Sequence, residues 1–307
     1  MSLTAELKAG VKAILAALRR RRRAGEIKKS ARHISREELV ADLGRLGIEK
    51  GDVLFLHSSL KSLGYVEGGA KTVIEALSDS IGPAGTLIVP TYYSPGTIIA
   101  ACRQPDYLFD PRIHGTNLGT LPAEFLKFPG VERSIHPTHS VSAVGRHARY
   151  VTESHHLAPS IFGAGSPWDR CIELGGKILG LGVSMGPVTF YHVLEDRLGT
   201  GFPLPVRMGE TYPLQCRSWK GEPLLVPVIP LDPEYMRRRI DTPARDDLRA
   251  YFWREFTRAG LLRTGRVGES TSWFIRAQPF YDHLLKLMRE GITIYATAEE
   301  LARRPVG

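Results

Sequence analysis

The residues best equipped for chemistry lie at three-residue spacing in one short stretch, Thr189-Phe190-Tyr191-His192-Val193-Leu194-Glu195. Positions i and i+3 of a helix share a face, so a hydroxyl, an imidazole and a carboxylate fall on one side. An imidazole backed by a carboxylate can take a proton at neutral pH. A strand followed by a helix holding His and Glu also arises by chance in many folds. The surrounding elements have to decide.

The apolar run 177–183 reads as a buried strand, and Ser184-Met185-Gly186-Pro187-Val188 as the turn that starts the helix near Thr189. Ligands of open α/β sheets sit at such strand ends. Upstream, Ser35 with Glu38 three residues later forms a capping box for a helix that stops at Gly47. Residues 53–57 form a short buried strand, followed by Ser58, Ser59 and the glycine-rich loop 62–70. A helix over about 70–81, a Gly-Pro turn and a strand over 86–90 complete a crossover unit of a parallel sheet. The loop suits either an ordinary tight turn or a phosphate cradle at a helix N-terminus. It matches neither the Walker nor the dinucleotide pattern.

Residues 91–115 read as a long irregular segment, and segments of that length in a compact domain are usually functional or mobile. A short helix over 121–127, a strand over 141–145 and a helix ending near Leu174 follow. Beyond about Gly199, two antiparallel strands (211–215 and 224–229) flank the Lys220-Gly221 turn, and helices are expected over 246–259, 278–290 and 298–304. The fold class is α/β: a mixed, partly parallel central sheet flanked by helices, with a β-rich C-terminal portion.

The 307 residues are enough for one large core or two small ones. No apolar run approaches the roughly 20 residues of a spanning helix, and no signal peptide is evident at the start. Cys102, Cys171 and Cys216 are widely spaced and form neither a zinc pattern nor a disulfide framework. A reducing, cytoplasmic setting follows as an expectation, with each thiol a small packing residue. The net charge of +9 resides in residues 1–36, where eleven Lys and Arg face Glu6 and Glu26; the remaining 30 basic and 30 acidic residues balance. No nucleic-acid surface on the body is expected. Leu3, Leu7, Val11, Ile14, Leu15 and Leu18 recur at helical spacing ahead of Arg19–Arg23. Three roles fit this amphipathic helix: docking on the body or a second subunit, lying on an anionic membrane surface, or touching nucleic-acid phosphates.

An ordered set of stretches resembles the aminoglycoside 3-N-acetyltransferase family. The matching residues are His57-Ser58-Ser59-Leu60, Leu63-Gly64, Gly68-Gly69, Gly85-Thr86-Leu87, Pro90-Thr91 and Phe109-Asp110-Pro111. They continue through Arg133-Ser134, His136-Pro137, Ser140 and Ser166-Pro167 to Thr189, His192, Glu195 and Gly265–Gly268. The resemblance implies acetyl transfer from acetyl-coenzyme A to an amine, on a mixed α/β fold other than the common GNAT acetyltransferase fold. It casts His192 as general base and Glu195 as its orienting carboxylate; the tetrahedral oxyanion needs donors as well, either backbone N–H groups or a hydroxyl such as that of Thr189. It places Ser58, Ser59, Gly64, Val66, Gly68, Gly69, Thr91 and Ser134 on the coenzyme side. Asp110, His136, Asp232 and Glu234 fall on the side of a cationic acceptor, with His136 either lining the site or holding its turn. His155 and His156 are expected in a surface loop. His136 with His139 could suggest a metal, but the resemblance implies none.

The implied organisation is a basic helix and linker over 1–34, an acetyltransferase domain over 35–290 with its β-rich acceptor side at about 200–240, and a C-terminal helix and tail over 291–307. The acceptor is an aminoglycoside or an amino sugar. The alternative is an acyl-coenzyme A N-acyltransferase of surface-polysaccharide or nucleotide-amino-sugar biosynthesis. From another class, a noncatalytic module would bind anionic membranes or nucleic acid through residues 1–23, which also fit self-association or a peripheral membrane contact. A metal hydrolase is the most distant reading.

Overall fold

The computed structural model describes residues 32–93 and 96–303, so the expectations for the basic segment 1–31 lie outside the described residues. In chain order the strands are β1 (His33–Ile34), β2 (Val53–Ser58), β3 (Tyr65–Val66), β4 (Thr86–Pro90), β5 (Leu108–Phe109) and β6 (Glu132–Arg133). They continue with β7 (Val141–Gly145), β8 (Lys177–Leu181), β9 (Tyr212–Arg217), β10 (Pro223–Val228), β11 (Arg263–Val267) and β12 (Ser270–Arg276). Seven of them form the central sheet in the order β11-β12-β8-β2-β4-β7-β6. β8, β2 and β4 run parallel, and the flanking pairs are antiparallel. The sheet is therefore mixed and partly parallel. β9 and β10 form a hairpin, and β5 joins it parallel to β9.

Strand periodicity sorts the core into two layers. On one face Phe55, Ile178, Trp273 and Ile275 pack with Trp168, Val193, Phe252 and Phe280 from the helices Pro167–Glu173, His192–Leu198, Asp246–Arg258 and Ala277–Arg289. On the other, Leu54, Leu56, Leu87 and Leu179 meet Leu39, Leu43, Val73, Ile74 and Leu77 of the helices Arg36–Leu46 and Ala70–Ile81. Both faces are covered, so the parallel strands read as continuous apolar runs. Gly180 is dictated by the neighbouring strand: a Cβ there would lie 2.1 Å from the Trp273 indole. The indole lies over the glycine, and its Nε1 donates to the Val183 carbonyl at 2.8 Å.

The first helix is capped as its sequence predicts on one side only. Ser35 Oγ accepts from the Glu38 N–H at 3.2 Å, while the Glu38 carboxylate pairs with Arg32 instead of closing the box. The segment 91–115 holds more structure than expected: Thr97 caps a helix over Ile98–Arg103, and β5 follows. Arg133 pins this segment from beneath. Its buried guanidinium donates to the carbonyls of Thr91 at 2.6 Å and Gly115 at 3.1 Å, and also to that of His114. Burial lowers its pKa to about 10, and it remains charged at neutral pH. Among the described residues no helix is long and apolar enough to cross a membrane.

Candidate active site

The parallel strands β2, β4 and β8 bring their C-terminal ends to one edge. After β8, Gly182 turns the chain at a φ of +69°, a left-handed conformation that suits glycine. The short 3₁₀ turn Thr189–Tyr191 and the helix His192–Leu198 follow. Thr189 therefore precedes the helix rather than lying within it. Phe190 goes to the core, where it meets Phe55 edge-on at 4.7 Å, and Val193 and Leu194 are buried as well. Thr189 and His192 line a cavity of about 220 Å³, together with Tyr92 and Tyr93 beyond β4, His139 ahead of β7, and Asp241.

His192 Nδ1 lies 3.0 Å from one Glu195 oxygen and 3.1 Å from the other. The Tyr295 hydroxyl donates to Glu195 at 2.7 Å. Burial pushes the Glu195 carboxyl up, but His192, the Arg207 guanidinium and Tyr295 outweigh it and hold the group below the usual carboxylate range. Arg207 is fixed in turn on Asp196 at 2.5 Å. With Nδ1 engaged by a carboxylate, Nε2 of His192 is the nitrogen left for a proton arriving in the cavity. Thr189 Oγ1 accepts from Trp168 Nε1 at 2.8 Å, which leaves its own O–H to donate elsewhere.

Ser58 ends β2, Ser59 and the turn at Gly64, Gly68 and Gly69 follow it, and all of them lie outside the lining of that cavity. Ser59 N–H donates to the Leu181 carbonyl at 2.9 Å, tying this turn to the end of β8. Gly64, Gly68 and Gly69 all have positive φ.

Several expected site residues are buried or already have partners within the protein. Val66 packs in the second core layer. Thr91 has no exposed surface, and its hydroxyl bonds Ser142 at 2.7 Å. Ser134 is equally buried between the Val141 N–H and His155. The side chains of these three are engaged within the protein. Asp110 binds Arg112 through both oxygens, at 2.9 and 2.7 Å, and that pairing lowers its carboxyl to about 2. His136 holds its turn: Nδ1 accepts from the backbone N–H groups of Thr138 at 3.3 Å and His139 at 3.1 Å. Asp232 caps the helix Pro233–Arg238 through the Glu234 N–H at 2.8 Å. Glu234 is exposed, and neither it nor Asp232 lines the cavity.

His155 corrects the surface-loop expectation. It is 1% exposed, stacks on His136 at 4.4 Å and uses both ring nitrogens, toward Ser134 at 3.1 Å and the Ile161 carbonyl at 3.0 Å. His156 next to it is half-buried. The thiols of Cys171 and Cys216 are buried, and burial raises all three cysteines, Cys102 to about 11 and Cys216 to about 12. At those values the nucleophilic thiolate is scarce at neutral pH. Among the described residues no three of His, Cys, Asp and Glu come together as a metal set.

Sequence reasoning missed Tyr295, Asp241 and Arg239. Asp241 is gripped by Arg239 through two contacts of 2.5 Å. The Arg-x-Asp spacing is a local signal for that pair; nothing local points from Tyr295 to Glu195.

Known proteins resemble this chain along most of its length. Residues 55–289 match the family described as aminoglycoside 3-N-acetyltransferase. The aminoglycoside N(3)-acetyltransferase III of a Salmonella species is 30% identical over 283 residues, spanning 88% of this chain and 97% of its own. Among solved structures, the aminoglycoside acetyltransferase AAC(3)-Xa superposes with a TM-score of 0.71 at 30% identity, over 85% of this chain and 94% of its own. AAC-IIIb, solved as a binary complex with CoASH, gives 0.72 at 25% identity, over 87% of this chain and 100% of its own.

Proposed function

Because the chain belongs to the aminoglycoside 3-N-acetyltransferase family, and is therefore an N-acetyltransferase, we propose that it carries acetyl from acetyl-coenzyme A to an amine of an aminoglycoside or amino sugar, with His192 as the base. The observation that carries this reading is the pairing of His192 Nδ1 with Glu195 at 3.0 Å, in a cavity that Thr189 and His192 both line.

The chemistry follows from the geometry. An ammonium has no lone pair, so the acceptor attacks as the neutral amine, its ammonium proton having gone to solvent. His192 Nε2 takes a second proton from that nitrogen as it bonds to the thioester carbon, and the carbonyl electrons move to oxygen. Glu195 stabilises the imidazolium, and Tyr295 steadies Glu195. Thr189 donates its O–H to the oxyanion. Collapse of the tetrahedral species re-forms the carbonyl and breaks the carbon–sulfur bond. The imidazolium proton leaves with the thiolate as coenzyme A thiol. Ser58, Ser59 and the turn at Gly64, Gly68 and Gly69 form the coenzyme edge; AAC-IIIb with CoASH supports a coenzyme A co-substrate.

The acceptor side favours a second reading within the same chemistry. Asp241 is the cavity carboxylate, and Arg239 already neutralises it, while Asp110 is spent on Arg112. A singly charged amino sugar, or its nucleotide, suits such a wall better than a polycation does.

The test is thiol release from acetyl-coenzyme A, with products identified by mass, against aminoglycosides, amino sugars and amino-sugar nucleotides. Wild type turns over with at least one class. His192→Ala loses about 10²–10⁴-fold in kcat and keeps its affinity for the coenzyme. Undiminished turnover in that variant removes His192 from the role of base.

A further inference from the structure

The cavity holds a second imidazole, His139, which the proton-transfer chemistry leaves without a role. Both histidines pack on the same ring: the Phe162 centroid lies 5.0 Å from that of His139 and 5.1 Å from that of His192. His139 is fixed on its other sides as well. Tyr92 lies against it at 4.7 Å, its backbone N–H donates to His136 at 3.1 Å, and its Nδ1 is 3.0 Å from the Thr138 hydroxyl. Nε2 is left without a partner among the described residues. A locked ring with a spare nitrogen in a substrate cavity is placed to meet a polar atom of the substrate.

We propose that His139 is a specificity-determining residue whose Nε2 hydrogen-bonds the oxygen on the carbon next to the reacting amine, and so aims the nitrogen at the thioester. This rests on the cavity being the acceptor site of the N-acetyltransferase. The tautomer is assigned from the Thr138 hydroxyl, taken as donor to His139 Nδ1. His136 Nδ1 already accepts two backbone N–H groups, so the Thr138 proton turns to His139 Nδ1, and Nε2 becomes a donor to the acceptor oxygen. Burial, with His192 and Arg207 adding to it, keeps the His139 ring neutral. Neutrality suits a residue in this position, because a cation here would repel an incoming ammonium and oppose the charge that forms on His192.

The experiment compares wild type, His139→Phe and His139→Gln on two matched amine acceptors, one with the neighbouring oxygen and one deoxygenated there. His139→Phe keeps the packing on Phe162 and Tyr92 but removes the nitrogen. It should lower kcat/KM about 10–100-fold on the oxygenated acceptor, mainly through KM, and leave the deoxy acceptor and the coenzyme KM within about twofold. His139→Gln should recover part of the loss. Equal losses on both acceptors would show that the ring only holds the fold, and unchanged kcat/KM on both would show that Nε2 meets nothing; either overturns the inference. Absence of thiol release by wild type with any amine would overturn the acceptor-site reading itself, and this one with it.

Discussion

Tyr295 and Glu195, a hundred residues apart in sequence, are joined by a hydrogen bond of 2.7 Å inside the protein. Through it the segment after the last long helix reaches the helix that carries His192. The carboxylate thus receives His192 on one side and a phenol on the other, and all three side chains are buried.

Tyr295→Phe removes that donor and keeps the ring. A hydrogen bond to a buried charge is worth about 1.5–3 kcal/mol, so kcat should fall roughly tenfold or more with the coenzyme KM unchanged. The Glu195 carboxyl should also move up toward the ordinary range, because one of the influences holding it down is gone. Steady-state kinetics across pH measure both effects; an unchanged kcat would mean that the phenol is a packing residue.

Glu195→Gln keeps the shape of the pair and removes its charge. The imidazolium formed during transfer then lacks its counter-ion, and kcat should drop about 100-fold or more. Glu195→Asp, one methylene shorter, should retain more activity than the amide. The reverse order would place the role of Glu195 in geometry rather than charge.

Thr189→Val removes the hydroxyl at nearly constant volume. An oxyanion donor contributes about 10²–10³-fold in kcat, and Thr189→Ser should keep most of it. The valine variant also leaves Trp168 Nε1 without its 2.8 Å acceptor, so its melting temperature should fall by several degrees while serine's holds. A valine variant with wild-type kcat would remove Thr189 from the chemistry.

Acid should weaken the fold early. Burial depresses His57 and His155, each to about 3, whereas an unfolded imidazole titrates near about 6.5. Between those values the unfolded chain binds protons that the folded chain refuses. Stability is therefore full above about pH 6.5 and declines as pH falls toward 3. Asp110, lowered to about 2, adds its loss only below the ordinary aspartate range. Urea midpoints at pH 8, 6.5 and 5 should fall in the last interval. His57→Leu should flatten part of that slope, since His57 Nε2 is buried without a partner among the described residues. A flat profile from pH 7 to 5 would contradict buried neutral histidines.

The parallel strands were legible because they are buried on both faces and read as unbroken apolar runs, as in Val53–Ser58 and Lys177–Leu181. The Thr189-His192-Glu195 spacing was legible because it is local. β11 escaped notice, since Arg263-Thr264-Gly265-Arg266-Val267 alternates polar residues at a sheet edge without an apolar stripe; β12, an interior strand, was missed despite its buried run Trp273-Phe274-Ile275. The resemblance placed Asp110 and Asp232 on the acceptor side, and the structure adds a local partner for each: Arg112 two residues on, and the N–H of Glu234 at a helix start. An Asp-Pro-Glu sequence is itself a helix-start signal. Tyr295 had no such signal, because its partner is set by packing alone.

Trp168 gives the site an optical handle. It has no exposed surface, lies within 5.3 Å of Phe55 and 4.7 Å of Phe162, and faces His139 at 6.5 Å while its N–H rests on Thr189. Trp273 is equally enclosed but bonds the Val183 carbonyl instead, while Trp253 is partly buried and Trp219 about half exposed. Blue-edge emission therefore comes largely from two indoles, and one of them holds the hydroxyl assigned to the transition state. Trp168 does not itself line the cavity but touches Thr189 and His139, which do, so ligand entry should reach that indole through them and be followed by the protein's own fluorescence without a label.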